Sequence, residues 1–293
     1  CTAARRAICQ APRPSDGCRR PPVSYASTRE NGGLQTLGTR ARRRDAIGAA
    51  HDPRAPRRPP MRPALVAVDA DDTLWHNESL FRLTEARFAE LLGDHARPET
   101  IAERLLETER RNLAIYGYGV KGFTLSMIET AHEITDGDCP PEITRALLGF
   151  CREMLAHPVE PFDGVGETLE TLARRAPLIL VTKGDLFDQE RKLAQSGLGE
   201  MFAAVEVVSE KTADTYARLF ARHGPGAERA LMAGNSLKSD VIPPIDAGGW
   251  GVHVPYEITW VHEAAEPPEG HPRYRRIDRL SALPALLETL ETP

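Results

Sequence analysis

The stretch Ala64-Leu-Val-Ala-Val-Asp69-Ala-Asp71-Asp72-Thr73-Leu-Trp75 changes abruptly from an apolar run to three carboxylates. The apolar run predicts a strand buried on both faces, as in a parallel sheet with helices on either side. Ligands of such sheets bind beyond the carboxyl ends of the strands, where Asp69 and Asp71 would emerge. Carboxylates held this close repel each other unless a proton or a cation intervenes, and Mg²⁺ suits hard oxygen ligands. The simpler alternative is a polar turn whose Asp and Thr side chains cap a helix.

Predicted strands and helices alternate after residue 160, an order typical of a parallel sheet. Helices are predicted at 165–175, at 188–197 and around Tyr216 and Phe220. Strands are predicted at 178–181, 204–208, 230–233 and 250–254, the last being the final central strand. The earlier strands each lead to polar residues that can meet phosphate or metal.

Between the first strand and residue 160 the apolar residues recur at helical spacing. The shared faces carry Phe81 with Phe88 and Leu92, Ile101 with Leu105, Met127 with Ala131, and Ile143 with Leu147, Phe150 and Met154. One long interruption, at 116–122, contains three glycines, which allow backbone conformations denied to other residues. The pattern therefore predicts a small helical bundle that is interrupted by one flexible loop.

Composition limits the classes of partner. The chain has 293 residues, 41% of them apolar, and no apolar run approaches the ~20 residues that cross a membrane. Residues 1–60 hold 13 Arg and four acidic residues, whereas the remaining 233 hold 24 basic and 38 acidic residues. We therefore expect the folded body to repel nucleic acid and anionic membranes, so that only the basic segment could contact them.

Residues 1–60 are rich in Arg, Pro and Gly and have no apolar periodicity, which predicts a disordered tail. Three interpretations stay open: a targeting segment, a basic binding arm, and upstream sequence outside the natural protein. The third is favoured by Cys1 in place of Met and by Met61 just before the first strand. The five cysteines lack the spacing of a zinc site or a disulfide framework, which predicts a cytoplasmic protein with reduced thiols.

Four motifs follow one another along the chain: Asp69-x-Asp71-x-Thr73, Thr182, Lys211, and Gly234-Asn235 with Asp240. In this order, each after a predicted strand, they resemble those of the haloacid dehalogenase-like hydrolase superfamily, in its phosphatase branch. The resemblance covers roughly residues 63–260. It implies an α/β fold with a Rossmann-like parallel-sheet core, built from 61–77 and 161–293, and a helical cap domain over 78–160 that closes over the site.

The resemblance also implies a reaction. The first Asp of the family attacks phosphorus and forms an aspartyl-phosphate, so that two easier displacements replace one difficult one. Asp69 is then the nucleophile, and Asp71 protonates the leaving alcohol before it takes a proton from water. Thr182 would hydrogen-bond the phosphoryl group, and Lys211 would offset the charge that builds on its oxygens.

Mg²⁺ is the implied cofactor, with Asp69, the Asp71 carbonyl oxygen, Asn235 and Asp240 as its ligands. Many relatives carry Gly in place of Asp72 and an acid in place of Asn235. Asn235 keeps a carbonyl oxygen but removes one negative charge, which predicts weaker metal binding rather than a different reaction. Further predicted substrate contacts are Thr73, Lys183, Tyr118 and Lys121.

Lysine usage gives an argument independent of family. The chain has 32 Arg and only five Lys, yet Lys183, Lys211 and Lys238 all fall in predicted site loops. A compact ammonium suits such positions better than a forked guanidinium. The alternative for Lys183 and Lys238 is an ordinary solvated loop lysine.

The predicted function is a magnesium-dependent phosphatase acting on a small phosphorylated metabolite. One alternative is a haloacid dehalogenase, whose Asp attacks carbon without metal; Asp71 and Asp240 argue against it, because that reaction needs no leaving-group acid or metal ligand. A phosphonatase-type hydrolase with a Schiff base on Lys121 is another, and a non-catalytic binding protein on the same fold a third. The loop with Tyr118 and Lys121 is the hypothesised leaving-group contact; the simpler alternative is a turn between helices.

Overall fold

The computed structural model describes residues 62–258 and 260–290, so the predictions made for residues 1–60 lie outside the described part. Within that part, parallel strands form one sheet in the order β3-β2-β1-β4-β5-β6. The strands are β1 (Leu65–Val68), β2 (Leu178–Lys183), β3 (Ala204–Val208), β4 (Ala230–Gly234), β5 (Trp250–His253) and β6 (Tyr274–Arg276). The predicted α/β class with a Rossmann-like parallel core is confirmed.

Helices cover both faces of this sheet and fill the connection between β1 and β2. The helices of the described residues are α1 (Glu78–Leu91), α2 (Pro98–Tyr116), α3 (Val120–Ile134), α4 (Pro141–Ala156), α5 (Val165–Ala173), α6 (Leu186–Ser196), α7 (Ala213–His223), α8 (Ile242–Asp246) and α9 (Leu283–Thr289). Helices α1 to α4 form the segment called here the helical insertion. None of these helices is both long enough and apolar enough to span a membrane.

Strand β1 lies at the centre of the sheet and is buried along its whole length. Because successive side chains of a strand point to opposite faces, Leu65 and Ala67 pack into the cluster that contains Phe220, whereas Val66 and Val68 pack into the cluster that contains Leu169. The strand is thus fixed from both sides. Its carboxyl end holds Asp69 in a defined position.

The insertion has an apolar core of its own. Residues from all four helices form one buried cluster that includes Phe88, Ile101, Met127 and Leu147. These residues belong to the predicted helical faces, which explains why short helices hold together here: each buries one apolar side against the others. The insertion leaves the sheet just after Asp72, at the carboxyl end of β1.

Two details differ from the sequence predictions. The strand at 250–254 is the last central strand, as predicted, but it is followed by an edge strand, β6, that was not predicted. Strand β6 has only three residues, two of them Arg, so it has no apolar run to detect. The predicted loop at 116–122 is also shorter: α2 continues to Tyr116 and α3 begins at Val120, so Lys121 lies in a helix.

Gly122 explains the shorter turn. A Cβ at this position would lie 2.7 Å from the carbonyl oxygen of Gly117, closer than van der Waals contact allows. The glycine therefore permits close packing of the first turn of α3 against the end of α2. In this position glycine indicates tight contact rather than flexibility.

Candidate active site

Three side chains from three strand ends meet in a buried ion cluster. Lys211 Nζ donates to Asp69 Oδ1 at 2.5 Å and to Asp240 Oδ1 at 2.6 Å. All three residues are at least nine-tenths buried. The other oxygen of Asp240 accepts the backbone N–H of Ser236, and any side chain at Gly234 would collide with the Asp240 carboxyl group. The geometry therefore ties the loop after β4 to the carboxylate after β1.

Burial sets the protonation of this cluster. It raises the pKa of Asp69 to about 7, with help from the charge of Asp240 and against the opposing charge of Lys211. For Lys211, burial lowers the pKa, but Asp240 and Asp69 together raise it well above its ordinary value. Lys211 is therefore a fixed cation, and a second cation beside Asp69 would favour its carboxylate form.

Asp71 lies two residues further on and has entirely different partners. Its carboxylate accepts hydrogen bonds from Lys192 Nζ at 2.6 and 2.8 Å, from Trp75 Nε1 at 2.7 Å and from Gln189 Nε2 at 2.8 Å. Burial acts to raise the pKa of Asp71, but the charge and hydrogen bond of Lys192, with the bonds from Gln189 and Trp75, lower it overall. Asp71 therefore rests as a carboxylate.

The Asn235 side chain decides whether a cation fits. One end of its amide lies 3.2 Å from Asp69 Oδ2 and 3.3 Å from the Asp71 carbonyl oxygen. Without a cation, hydrogen bonding places the amide nitrogen at this end, where it donates to both oxygens. Turning the amide over would bring its oxygen to the same place and give three oxygens that a cation can bridge. Hard oxygens of this kind are the ligands that Mg²⁺ takes. The donor set fits the predicted metal.

Asp240 is less suited to direct metal contact than the sequence suggested. Both of its oxygens already have partners, Lys211 and the Ser236 N–H. Among the described residues, no group of three or more Asp, Glu, His or Cys side chains is arranged to hold a metal ion. The oxygens that do converge include a backbone carbonyl and an amide. Asp240 would then act mainly by holding Lys211.

Asp72 has a structural role that explains its departure from the family pattern. Its backbone φ is 60°, in the left-handed region that glycine adopts without strain. Its side chain accepts the backbone N–H groups of Asn77 and Glu78, at the start of α1. Asp tolerates this conformation better than most residues and here satisfies N–H groups that the helix itself leaves open. Asp72 thus anchors the insertion to the strand end.

The other predicted core residues lie at different distances from the cavity. Thr73 is almost fully buried and does not line it; its hydroxyl lies 3.3 Å from Asp69 Oδ2 and accepts the Asn235 N–H at 3.1 Å. This placement favours an orienting role over the predicted substrate contact. Thr182 and Lys183 do line the cavity. Lys183 is already engaged, since its Nζ donates to Ser239 Oγ at 3.0 Å and to Glu263 Oε1 at 2.5 Å.

The two substrate contacts predicted in the insertion, Tyr118 and Lys121, also differ in position. Tyr118 lines the cavity and donates its hydroxyl to Glu210 Oε1 at 2.8 Å, while its ring lies 4.1 Å from Lys183 Nζ. Lys121 does not line the cavity and pairs with Asp185 at 2.9 Å on a half-exposed side chain. Both contacts join the insertion to the core. The position of Lys121 disfavours a Schiff base with a substrate in the cavity.

The cavity lies between the strand ends and the insertion and has a volume of about 160 Å³. Its lining includes nine acidic side chains and three lysines. Each lysine is already paired: Lys183 with Glu263, Lys192 with Asp71, and Lys211 with Asp69 and Asp240. The cavity is therefore strongly acidic.

Sequence reasoning missed Lys192, Gln189, Glu263 and Glu109, all of which line the cavity. Lys192 could have been found, because the argument from scarce lysines applies equally to lysines on helices. Gln189 and Lys192 are three residues apart on α6, so they share the face that meets Asp71. Glu263 lies in a single 3-10 turn after the last central strand, and Glu109 lies among the many charges of α2, so neither gave a usable signal.

The fold and site define a Rossmann-like α/β protein with strand-end aspartates held by a buried lysine. A family model described as haloacid dehalogenase-like hydrolase matches residues 63–248. A haloacid dehalogenase-like family hydrolase from Xanthomonas campestris is 41% identical in a match that covers 80% of this chain and 97% of that chain, with a TM-score of 0.69. The chain belongs to the haloacid dehalogenase-like hydrolase family and is a hydrolase.

More distant structures share the fold alone. The putative HAD-hydrolase YfnB from Bacillus subtilis, bound to magnesium, is 19% identical over 77% of this chain and 99% of that chain, with a TM-score of 0.54. The L-2-haloacid dehalogenase from Xanthobacter autotrophicus with covalently bound chloropropionic acid is 18% identical over 77% and 98%, with a TM-score of 0.52. No curated protein matched the sequence. Fold similarity therefore leaves the substrate class to be argued from the site.

Proposed function

We propose that the protein is a magnesium-dependent phosphatase that hydrolyses a small phosphorylated metabolite through an aspartyl-phosphate. The observation that carries this proposal is the convergence of Asp69 Oδ2, the Asp71 carbonyl oxygen and the Asn235 amide at 3.2–3.3 Å. Asp69, Asp71 and Asn235 would hold the ion. When bound, Mg²⁺ would offset the negative charge shared by the Asp69 carboxylate and a phosphoryl group.

The first step needs a carboxylate that is fixed and ionised. Lys211 holds one oxygen of Asp69 at 2.5 Å, so the carboxyl group has a set direction towards the cavity. Asp71 takes up a proton from solvent as the anionic substrate binds. Asp69 attacks phosphorus, the bond from phosphorus to the leaving oxygen breaks, and Asp71 gives that oxygen its proton. The ammonium of Lys211 then offsets charge on the phosphoryl oxygens.

The second step reverses the role of Asp71. A water molecule attacks the aspartyl-phosphate, Asp71 takes its proton, and inorganic phosphate leaves while the Asp69 carboxylate is restored. The pairing of Asp71 with Lys192 at 2.6 Å suits this step, because it favours the carboxylate that the first step leaves, and this form accepts the proton of the water. Thr182, which lines the cavity, remains the proposed contact for the phosphoryl group.

A haloacid dehalogenase is the rival hydrolase. Its substrate is a carboxylate, and the lysines of this cavity are all paired while nine acidic side chains surround them. An anionic substrate would be repelled there unless a cation accompanied it. The dehalogenase reaction supplies no such cation, whereas the phosphatase reaction does.

The test compares two reactions in two media. We expect the purified protein to release phosphate from an aryl phosphate in Mg²⁺. This activity should be lost in chelator and return when Mg²⁺ is restored. Halide release from 2-chloropropionate is measured in parallel. Halide release that persists in chelator, without phosphate release, would replace the phosphatase by the dehalogenase. Absence of both reactions would favour a binding protein.

A further inference from the structure

The insertion side of the cavity contains a buried carboxylate without a partner. Glu109 lies on α2, lines the cavity and is 8% exposed. Among the described residues, none donates a hydrogen bond to its side chain and none forms an ion pair with it. Arg82, the cation whose charge acts on Glu109, is already paired with Glu78 and Glu85. A buried carboxylate in this state is costly unless something in the cavity compensates it.

The neighbouring polar groups offer acceptors but few free donors. Asn112, one turn further along α2, directs its Nδ2 to Ser126 Oγ at 3.2 Å and to Glu129 Oε2 at 3.0 Å, and the Ser126 hydroxyl donates to the carbonyl oxygen of Gly122. Glu78 Oε1 is buried and accepts no hydrogen bond, although Arg82 Nε lies 3.3 Å away. A ligand group that fits here must therefore donate hydrogen bonds.

Aromatic rings form much of the remaining wall. Phe81 and Phe123, with ring centroids 5.1 Å apart, line the cavity together with Tyr118 and Trp260. The faces of aromatic rings attract cations, and a nearby carboxylate adds to that attraction. Rings and acceptors together are the chemistry that binds an ammonium group, which donates up to three hydrogen bonds.

We propose that the leaving group of the substrate carries an ammonium, and that Glu109 binds it at the insertion side of the cavity. The assignment rests on the proposed phosphatase function, because it describes the part of the ester that lies away from phosphorus. The substrate class is then the phosphate monoesters of small amino alcohols. The acidic cavity agrees with this class, since the positive charge of the amine partly offsets the phosphoryl charge.

A second observation is consistent with the assignment. Burial, with the charge of Glu85, raises the pKa of Glu109 to about 7. An ammonium beside Glu109 would favour the carboxylate and so lower the pKa of Glu109 again. A neutral hydroxyl would lower this pKa less, and a second carboxylate would raise it further.

The experiment uses monoesters that differ only at the far end. O-phosphoethanolamine, 2-hydroxyethyl phosphate and phosphoglycolate share a two-carbon skeleton but end in an ammonium, a hydroxyl and a carboxylate. Longer aminoalkyl phosphates and their hydroxyalkyl counterparts extend the series to greater distances between the phosphorus and the ammonium. At the best chain length we expect kcat/KM to favour the ammonium over the hydroxyl by about 10- to 100-fold, the range for a hydrogen bond to a charged group. The carboxylate should be the poorest substrate.

Glu109→Gln keeps the shape of the side chain and removes its charge. We expect the ratio of kcat/KM between the ammonium and hydroxyl esters to fall by about tenfold or more in this variant. A ratio is unaffected by any loss of folded protein. Glu107→Gln is the matched control, because Glu107 lies on the same helix but is exposed and paired with Arg104; its ratio should stay at the parent value.

The outcomes separate the two proposals. Hydrolysis of all esters without preference for the ammonium, or an unchanged ratio in Glu109→Gln, would overturn the leaving-group assignment alone. Failure to hydrolyse any ester, including an aryl phosphate in Mg²⁺, would overturn the proposed function and the assignment with it.

Discussion

The two sides of the cavity differ in how their acids are paired. At the strand ends, Asp69, Asp71 and Asp240 each contact a buried lysine at 2.5 to 2.8 Å. On the insertion side, Glu109 contacts no cation among the described residues, although it is buried about as well as Asp69 and Asp240. Similar burial with opposite pairing indicates different tasks.

The difference teaches what each side is built to receive. In the proposed phosphatase, the phosphoryl group is the same in every monoester, so the protein can fix the side chains that meet it, with their ion pairs and hydrogen bonds, before the substrate binds. In the proposed assignment the leaving group varies between substrates, and the site that receives it contains Glu109, a carboxylate that pairs with no cation among the described residues. The proposed function therefore assigns the reaction to the paired acids and the choice of substrate to the unpaired one.

The largest expected effect is a loss of turnover at the strand-end side of the cavity. Asp69→Asn removes the nucleophile, so turnover should fall by several orders of magnitude, as it does when other enzymes lose a nucleophile. Stability should change little, because burial raises the pKa of Asp69 to about 7 and a neutral amide suits that environment, while Lys211 keeps Asp240 as its partner. Steady-state kinetics with an aryl phosphate and a melting curve check both expectations. A folded variant that retains substantial turnover would exclude covalent catalysis by Asp69.

The next effect concerns Asp71 and is expected to be smaller. Asp71→Asn leaves the nucleophile but removes proton transfer, which typically contributes about 10²- to 10⁴-fold. The loss in kcat should be greater for an alkyl phosphate than for an aryl phosphate, since an aryl oxide leaves without help. Equal rates for parent and variant with the alkyl ester would rule out the proposed role.

Lys192 provides the control for this prediction. It touches Asp71 through both carboxylate oxygens, so it is a positioning residue that acts through Asp71. On its own, Lys192→Gln should slow hydrolysis of the alkyl ester. Added to Asp71→Asn, it should lower the rate little further, because the effects of coupled residues are not additive. An additive double variant would mean that Lys192 acts independently of Asp71.

The two sides also differ in how well the sequence predicted them. Thr182 lies near the end of a strand, and Asp69, Lys211 and Asp240 each follow one. The alternation of apolar and polar segments locates strand ends well. Parallel pairing then brings those ends together, as the contacts of Lys211 with both aspartates illustrate. This half of the site follows from local pattern and sheet topology.

The other half depends on packing between helices. Whether Glu109 faces the cavity or solvent is set by the rotation of α2 against α1 and α3, and its sequence surroundings are charged throughout. Tyr118 and Lys121 illustrate the same limit: they were predicted together, yet only Tyr118 lines the cavity, because Lys121 lies in the first turn of α3 and turns to Asp185. Helix orientation is a tertiary property that no single segment encodes.

The smallest expected effect is on how stability depends on pH, where the paired and unpaired acids should act in opposite directions. Burial, with Glu85, raises the pKa of Glu109 from 4.5 to about 7, while Arg82 opposes the shift. The folded state therefore binds a proton more tightly than the unfolded state, and the resulting stability is fully present below pH 4.5 and lost as the pH rises through about 7. Asp71 has a lowered pKa and contributes in the opposite direction, since its stabilisation is lost as the pH falls.

The amide introduced by Glu109→Gln cannot ionise, so this variant should not lose stability in this way as the pH rises. Relative to the parent, its free energy of unfolding should rise by about 1 to 3 kcal/mol between pH 4.5 and pH 8, which corresponds to several degrees in Tm. Melting curves of both proteins across this range measure the difference, with Glu107→Gln as the exposed control that should show no such trend. A difference that stays constant with pH would mean that Glu109 is compensated in the free protein. The contrast between a paired and an unpaired side of the cavity would then not hold.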